Sequence, residues 1–299
     1  MEHGHDHGRV ESRRALGAAL ALTASYTVVE VVGGLLAGSL ALLADAVHML
    51  SDNIALAVAL AAAWLATRPA TPERSFGFKR AEVLAALANG VMLVALAIWI
   101  FVEAAVRLRD PGDVLGWWML AIALVGLAVN VGAGFILSRA RRHSLNVEAA
   151  FRHVFADLLG SFGVAVAAVV ILATGWVEAD PLVSILIGVL ILASAWSILR
   201  DSTEILLEST PRGIDAEALG RRLASASGVV EVHDLHVWTI TSGFPALSAH
   251  VLVRPGEDCH GRRRELERLL HDEFGIEHTT LQVDHAGDPG LVEIGRFGD

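Results

Sequence analysis

The stretch LALLADAVHMLSDNIALAVALAAAWLA, residues 40–66, decides the fold. At 1.5 Å per residue it is longer than the roughly 30 Å hydrocarbon core of a bilayer. Its only ionisable side chains are Asp45, His48 and Asp52. A surface helix of a soluble protein would keep a charged face along its whole length; this one does not, so it is predicted to cross a membrane. Working outward, similar apolar runs at Ala15–Ala37, Ala81–Val106, Val114–Ser138, Val147–Thr174 and Leu182–Leu199 bring the expected spans to six. The small-residue triplet Ala19-Leu20-Ala21 lies inside the first run and not at its end, so that run is expected to stay as an anchor.

Composition agrees. Of 299 residues, 54% are hydrophobic and 19% charged, and 23 Lys plus Arg against 33 Asp plus Glu leave a net charge of −10, which excludes a nucleic-acid-binding role. The single cysteine, Cys259, can form no internal disulfide. Thirteen histidines against one tyrosine point to metal.

Orientation follows from the connections. Arg9, Arg13 and Arg14 precede the first span, Arg68, Arg74, Lys79 and Arg80 lie between spans two and three, and Arg139, Arg141 and Arg142 between four and five; the other side has only Arg107 and Arg109. By the positive-inside rule both termini are expected in the cytoplasm, the membrane being the inner, cytoplasmic one. From Ser209 the pattern changes to that of a small mixed domain: a helix over Ala216–Ala226, strands over Val229–Thr239 and Ala246–Val253, a helix over Arg262–Phe274 and a strand over Ile276–Val283. The expected fold class is therefore membrane α-helical, six transmembrane helices followed by a cytoplasmic α+β ferredoxin-like (αββαβ) domain with its helices on one face. Its segments are 1–14, His-rich; 15–208, the membrane domain; 209–287, the cytoplasmic domain; and 288–299, a tail.

Ionisable groups at membrane depth are expensive and mark function. Spans two and five carry the same unit, H-x-x-x-D, as His48…Asp52 and His153…Asp157. A spacing of four puts each pair on one helix face. Two spans of opposite direction that face each other bring His48 level with Asp157 and Asp52 level with His153, near the bilayer midplane. Two nitrogens and two oxygens make a tetrahedral shell suited to Zn²⁺. Two separate unneutralised carboxylates in hydrocarbon would otherwise each cost several kcal/mol. Asp45, one to two turns nearer the outside, reads either as an acid beside the site or its exit path or as a cap near the helix start. Glu30 is a candidate proton-path residue; Glu82, Asn89, Glu103 and Asn130 read as interhelical hydrogen-bonding groups.

Four segments now carry a resemblance: SLALLADAVHMLSD (39–52), SFGFKRAEV (75–83), NVEAAFRHVFAD (146–157) and VHDLHVW (232–238). In content and order the chain resembles the cation diffusion facilitator family, in its bacterial zinc-exporting branch, from the first span to about Asp284. The resemblance implies a homodimer that exchanges Zn²⁺ for protons, binding the metal at His48, Asp52, His153 and Asp157 and releasing it on the far side by alternating access, with Cd²⁺ and Co²⁺ as further divalent cargo. It also implies a cytoplasmic zinc site at His233, His250 and Asp284, where Zn²⁺ is a structural or regulatory ion.

Two departures stand out. Where some relatives carry a histidine two residues before that last acid, this chain has Gln282, so a second cytoplasmic ion would have to recruit His260, His278 or His285. On a regular strand His233 and His236 point to opposite faces, so they are not expected to share an ion. In the loop between spans two and three, Arg74 and Phe78 stand at the places of a family histidine pair, so no metal is expected there, and Lys79 and Arg80 are expected to anchor the loop at the lipid surface. The tract His3-Gly4-His5-Asp6-His7 is suited to collecting Zn²⁺ weakly or is dispensable. Cys259 beside His260 is a weak metal signal, and His271 reads as a solvated surface residue.

An enzyme is not expected. No H-E-x-x-H motif is present, and four protein ligands leave no coordination position for water. A metal-gated channel or a membrane zinc sensor is the alternative class; a closed His-Asp cage favours binding with alternating exposure.

Overall fold

The computed structural model describes residues 3–140, 145–241 and 243–287, and only the backbone at residues 3–16, 139–140, 145–150, 152, 153 and 156. The chain forms α1 (His3–Ala37), α2 (Leu40–Ala66), α3 (Ala81–Arg109), α4 (Gly116–Ala140), α5 (Leu145–Thr174), α6 (Ala179–Leu206), α7 (Ala216–Ala224), β1 (Val229–Thr241), β2 (Phe244–Val253), α8 (Cys259–Phe274) and β3 (His278–His285). Helices α1 to α6 are all long and apolar enough to cross a membrane, so this is a multi-pass membrane protein. Helix α1 begins twelve residues before its apolar run, because hydropathy reports only the part that meets lipid.

Two compact units share the chain, one formed by residues up to 58 with 88–198, the other by 59–87 with 199 onward. In the first unit α1 packs on α4, and α4 on α5. Small residues let the helices approach closely. Ala41, Ala44, Ala97, Ala123, Ala167, Ala168 and Ala195 are buried among Leu42, Leu93, Ile100, Met119 and Ile191. Long apolar side chains such as Leu35, Val102 and Leu186 stay exposed, as a lipid-facing surface requires, and Trp117, Trp118 and Trp176 are exposed at helix ends where interfacial aromatics belong.

The corner between α1 and α2 fixes where α2 starts. Gly38 has φ +67°, and a Cβ there would lie 2.6 Å from the backbone carbonyl oxygen of Asp113. Ala37 O accepts from Leu115 N at 2.9 Å, so that carbonyl has little freedom to move. A left-handed conformation and a backbone clash together cost about 2 kcal/mol or more. Gly38→Ala is therefore expected to lower the thermal midpoint of the detergent-solubilised protein by about 4–8 °C, followed by scanning fluorimetry.

In the second unit the sheet order is β1-β2-β3, with β1 and β2 antiparallel and β2 and β3 parallel. Leu219 and Leu223 of α7 and Leu266 and Leu270 of α8 are buried against Leu247, Ala249, Val251 and Leu281, so both helices cover the same sheet face, as the αββαβ reading requires. Asp258 caps α8. Its carboxyl is held below the usual carboxylate range, chiefly by the Gly261 amide and then by that of His260.

His271 in the last turn of α8 is exposed. Its ring lies 2.8 Å from Asp272, and that hydrogen bond and charge raise its pKa above 6.5. A raised imidazole pKa favours the folded state below about pH 6.5, and that contribution disappears as pH climbs through the folded value. Asp272→Asn is expected to move the His271 ring titration, read by NMR, down towards 6.5, and unchanged midpoints would refute the pairing.

The same unit contains the α2–α3 loop. Lys79 Nζ sits 3.7 Å over the Phe244 ring and Arg80 is 2.7 Å from Glu208, so these cations, expected from the sequence to anchor the loop at the lipid surface, also have protein partners. The guanidinium of Arg74 stacks over Phe78 at 4.4 Å. The two residues thus pack on each other.

Candidate metal centre

Helix α2 carries Asp45, His48 and Asp52 on one face because steps of three and four residues nearly complete whole turns. Helix α5 presents Asp157 to the same place. Ligand atoms of His48, Asp52 and Asp157 all lie within 4.8 Å of one another, the one such trio among the described residues. His48 Nε2 is 3.6 Å from Asp52 Oδ2; both side chains are partly buried and Asp157 is buried. An imidazole and two carboxylates this close form a cation site in waiting, since ligand atoms on a tetrahedral zinc stand about 3.3 Å apart and modest side-chain movement closes the gap. The fourth expected ligand, His153, belongs to α5 one turn before Asp157, and its side chain lies outside the described residues.

Asp45 is not a helix cap. It is buried, and Ser161 of α5 donates to its Oδ2 at 3.2 Å, with Asn130 of α4 donating to Ser161 at 3.2 Å. Gly160 faces it directly, where a Cβ would lie 3.0 Å from Asp45 Oδ1, so glycine is what lets α5 approach. On the other side stands Glu30 of α1, also buried and close enough to Asp45 for the two carboxyl groups to interact electrostatically. The Tyr26 hydroxyl lies 3.0 Å from Glu30 Oε1 and 3.1 Å from the Ile122 carbonyl oxygen. A chain of polar groups thus runs from α1 through Glu30 and Asp45 to α5 and α4, beside the metal-ligating trio.

The cap role belongs to a residue the sequence reading passed over, Asp180 at the start of α6. Its carboxylate accepts from Leu40 N at 2.7 Å, Ala41 N at 3.2 Å and Ser39 Oγ at 2.5 Å. Of the other polar groups read as interhelical, Glu103 pairs with Arg107 on its own helix at 3.1 Å, and Glu82 accepts from Thr241 Oγ1 at 2.7 Å.

In the cytoplasmic domain His233 pairs with His250 across β1 and β2, their rings 5.4 Å apart and T-shaped. His250 pairs in turn with Gln282 on β3, and Gln282 donates to Asp284 Oδ2 at 2.8 Å. His233, His250 and Asp284 therefore share one face of the sheet, and His233 Nδ1 is buried with no hydrogen-bond partner. These donor types suit Zn²⁺, and their ligand atoms stand further apart than the 4.8 Å that encloses the membrane trio.

The sequence reading of His233 and His236 needs correction. The register shifts between them, and Asp234 takes φ +53°. Opposite residues of an antiparallel pair share a face, and His233 and His236 oppose His250 and Ser248, which are two apart on β2. Both histidines thus point to the same face, because a bulge inserts one extra residue. The bulge also aims Asp234 at its neighbours, 2.9 Å from His236 Nε2 and 3.9 Å from His250 Nε2.

Two of the three reserve histidines have other neighbours. His285 Nε2 donates to the Glu257 carbonyl at 3.0 Å and lies 3.5 Å from Cys259 Sγ. That also gives Cys259 a partner other than the adjacent His260, which is exposed on α8. His278 packs its ring between Phe76 and Phe244. The tract at residues 3–7 is described only as backbone, within α1.

Comparisons with known proteins bear on all of this. A family model described as the cation efflux transmembrane domain matches residues 16–207, and one described as the cation efflux protein cytoplasmic domain matches 211–286. The metal cation efflux system protein CzcD of Cupriavidus metallidurans is 41% identical over 95% of this chain and 90% of its own length. The zinc transporter ZitB of Escherichia coli is 42% identical over 95% and 93%. A cadmium, cobalt and zinc/H⁺-K⁺ antiporter of Bacillus velezensis is 39% identical over 96% and 93%. The solved metal-bound C-terminal domain of the CzcD transporter is 32% identical, with 97% of it and 23% of this chain matched at a TM-score of 0.23.

Proposed function

Because the chain belongs to the cation efflux (cation diffusion facilitator) family, a family of transporters and not enzymes, we propose that it exports Zn²⁺ from the cytoplasm in exchange for protons. The observation that carries this reading is the meeting of His48, Asp52 and Asp157 on two membrane-crossing helices. His153 completes the shell. Relatives named for cadmium, cobalt and zinc supply the metal class, and one is named for antiport. Imidazole and carboxylate ligands without thiolate select Zn²⁺ within that class, with Cd²⁺ and Co²⁺ as weaker cargo.

Coupling is built into the ligands. Zn²⁺ binds imidazole in its neutral form and carboxylate in its ionised form, so loading the metal expels protons and protonation expels the metal. Asp45 and Glu30, which lie beside the trio, form the route by which protons reach and leave it. Residues 15–208 act as the transport domain, between segments 1–14 and 209–287 on the cytoplasmic side of the inner membrane. The domain at 209–287 holds a resident Zn²⁺ at His233, His250 and Asp284 and joins two chains as a homodimer; the family description of a cytoplasmic efflux domain supports that placement. Residues 288–299 are a tail. The resident ion supplies cross-linking charge to three adjacent strands.

The experiment is Zn²⁺ flux into proteoliposomes under an imposed pH gradient, for the native protein and for His233→Ala. Native flux is expected to follow the gradient, and His233→Ala to retain at least about half of it while losing a bound zinc. Flux indifferent to the gradient would point instead to a channel or a sensor.

A further inference from the structure

We propose that Asp180 is a positioning residue for the transport site: as the first-turn cap of α2, it sets the height and rotation at which α2 presents His48 and Asp52. The proposal rests on the transport-site reading above. A helix leaves its first amides without internal partners, and where they are buried, as at Leu40 and Ala41, water does not satisfy them. Here Leu40 N and Ala41 N donate to the two oxygens of Asp180, Ser39 Oγ donates to one of them, and Leu42 N donates to Ser39 Oγ at 3.1 Å. The cap comes not from the preceding chain alone but from a residue 140 positions away.

Asp180 is itself held rigidly. It is 0% exposed, its carbonyl accepts from Ser184 Oγ at 2.8 Å, and Arg107 at the end of α3 lies 3.9 Å from its Oδ2. Arg107 also donates to the carbonyl of Gly38 at 2.5 Å. The end of α1, the start of α2, the end of α3 and the start of α6 therefore meet at one carboxylate. Along α2 that point is about 12 Å from His48 and about 18 Å from Asp52. A helix is stiff over such a distance, and a slip of one residue at its end would lift each ligand by about 1.5 Å and turn it by about 100°. Ligands placed 1 Å wrong lose up to about 100-fold in function.

Carboxylate chemistry is required. Three donors converge on Asp180, and a carboxylate accepts on both oxygens, whereas an amide would turn its NH₂ towards one of them. The negative charge also faces the positive end of α2.

The test compares Zn²⁺ and Cd²⁺ flux in proteoliposomes for the native protein, Asp180→Asn, Ser39→Ala and Asp157→Ala. Asp180→Asn is expected to raise KM for Zn²⁺ by about 10- to 100-fold, to change maximal flux by less than about threefold, and to shift the ratio of zinc to cadmium flux. Ser39→Ala, which removes one donor to the same carboxylate, is expected to move KM the same way by a smaller factor. An Asp180→Asn protein with native KM and native metal ratio, altered only in thermal midpoint, would reduce Asp180 to a structural cap and overturn the proposal. Should that variant fail to assemble, Ser39→Ala decides, and a native KM there overturns the proposal equally. Asp157→Ala separates the two claims, because normal flux in that variant would remove the transport site itself, whatever Asp180 does.

Discussion

Asp157→Ala is expected to cut Zn²⁺ flux by about 100-fold or more and to leave a dimer that elutes as the native protein does. Groups that merely support a metal ligand contribute about 10- to 100-fold to affinity or activity, so a carboxylate that touches the ion contributes at least that. The variant also leaves His48 and Asp52 facing an uncharged side chain, so one anion no longer balances the divalent charge. Folding should survive, because Asp157 neighbours polar groups and lies outside the principal apolar cluster around Leu42, Leu93 and Ile191. Removing a buried acid that holds no resident cation relieves repulsion in the empty state. A flux within threefold of native would place the transport site elsewhere.

The second large effect is on pH. Each proton that must leave a ligand before Zn²⁺ binds lowers apparent affinity about tenfold per pH unit on the acid side of that ligand's titration. With two imidazoles in the proposed shell, KM for Zn²⁺ is expected to rise by about 10- to 100-fold in total as the loading side is acidified from about pH 7.5 to about pH 5.5. The sign is set by competition: acid on the loading side weakens capture, and acid on the release side speeds discharge. Initial rates at varied Zn²⁺, with the opposite face held at constant pH, measure this directly. A KM that stays level across that range would mean that the ion enters without displacing protons.

The membrane helices were legible because their signals are local. Helix α2 occupies the quoted stretch to the residue, with Gly38 to end the helix before it and Ser39 as a small polar residue at the entry. The meeting of His48 and Asp52 with Asp157 was legible for another reason, since a repeated spacing of four on two antiparallel helices leaves little choice of arrangement. The bulge in β1 was not. Nothing in the run VVEVHDLHVWTIT marks where an extra residue enters, apart from an aspartate in the middle, and aspartate tolerates left-handed backbone better than most residues. Asp180 was invisible for a third reason: a residue just before a proline and an apolar run reads as the cap of its own helix, and no periodicity reveals that it caps another. The protein partners of Lys79 and Arg80, Phe244 and Glu208, lie more than a hundred residues away in sequence, so no local pattern reveals them.

The distance in sequence between α2 and its cap also bears on how the protein is made. A ribosome adding about 5–20 residues per second needs roughly 7–28 s to synthesise the 140 residues that separate Leu40 from Asp180. Until Asp180 is made, Leu40 N and Ala41 N lack their acceptor, and for most of that interval Asp45 and Asp52 also lack their neighbours from α5. The half-made chain is therefore least secure at the helix that matters most to the finished protein. It depends on the insertion machinery or on interfacial water to shelter the start of α2 until the last span arrives.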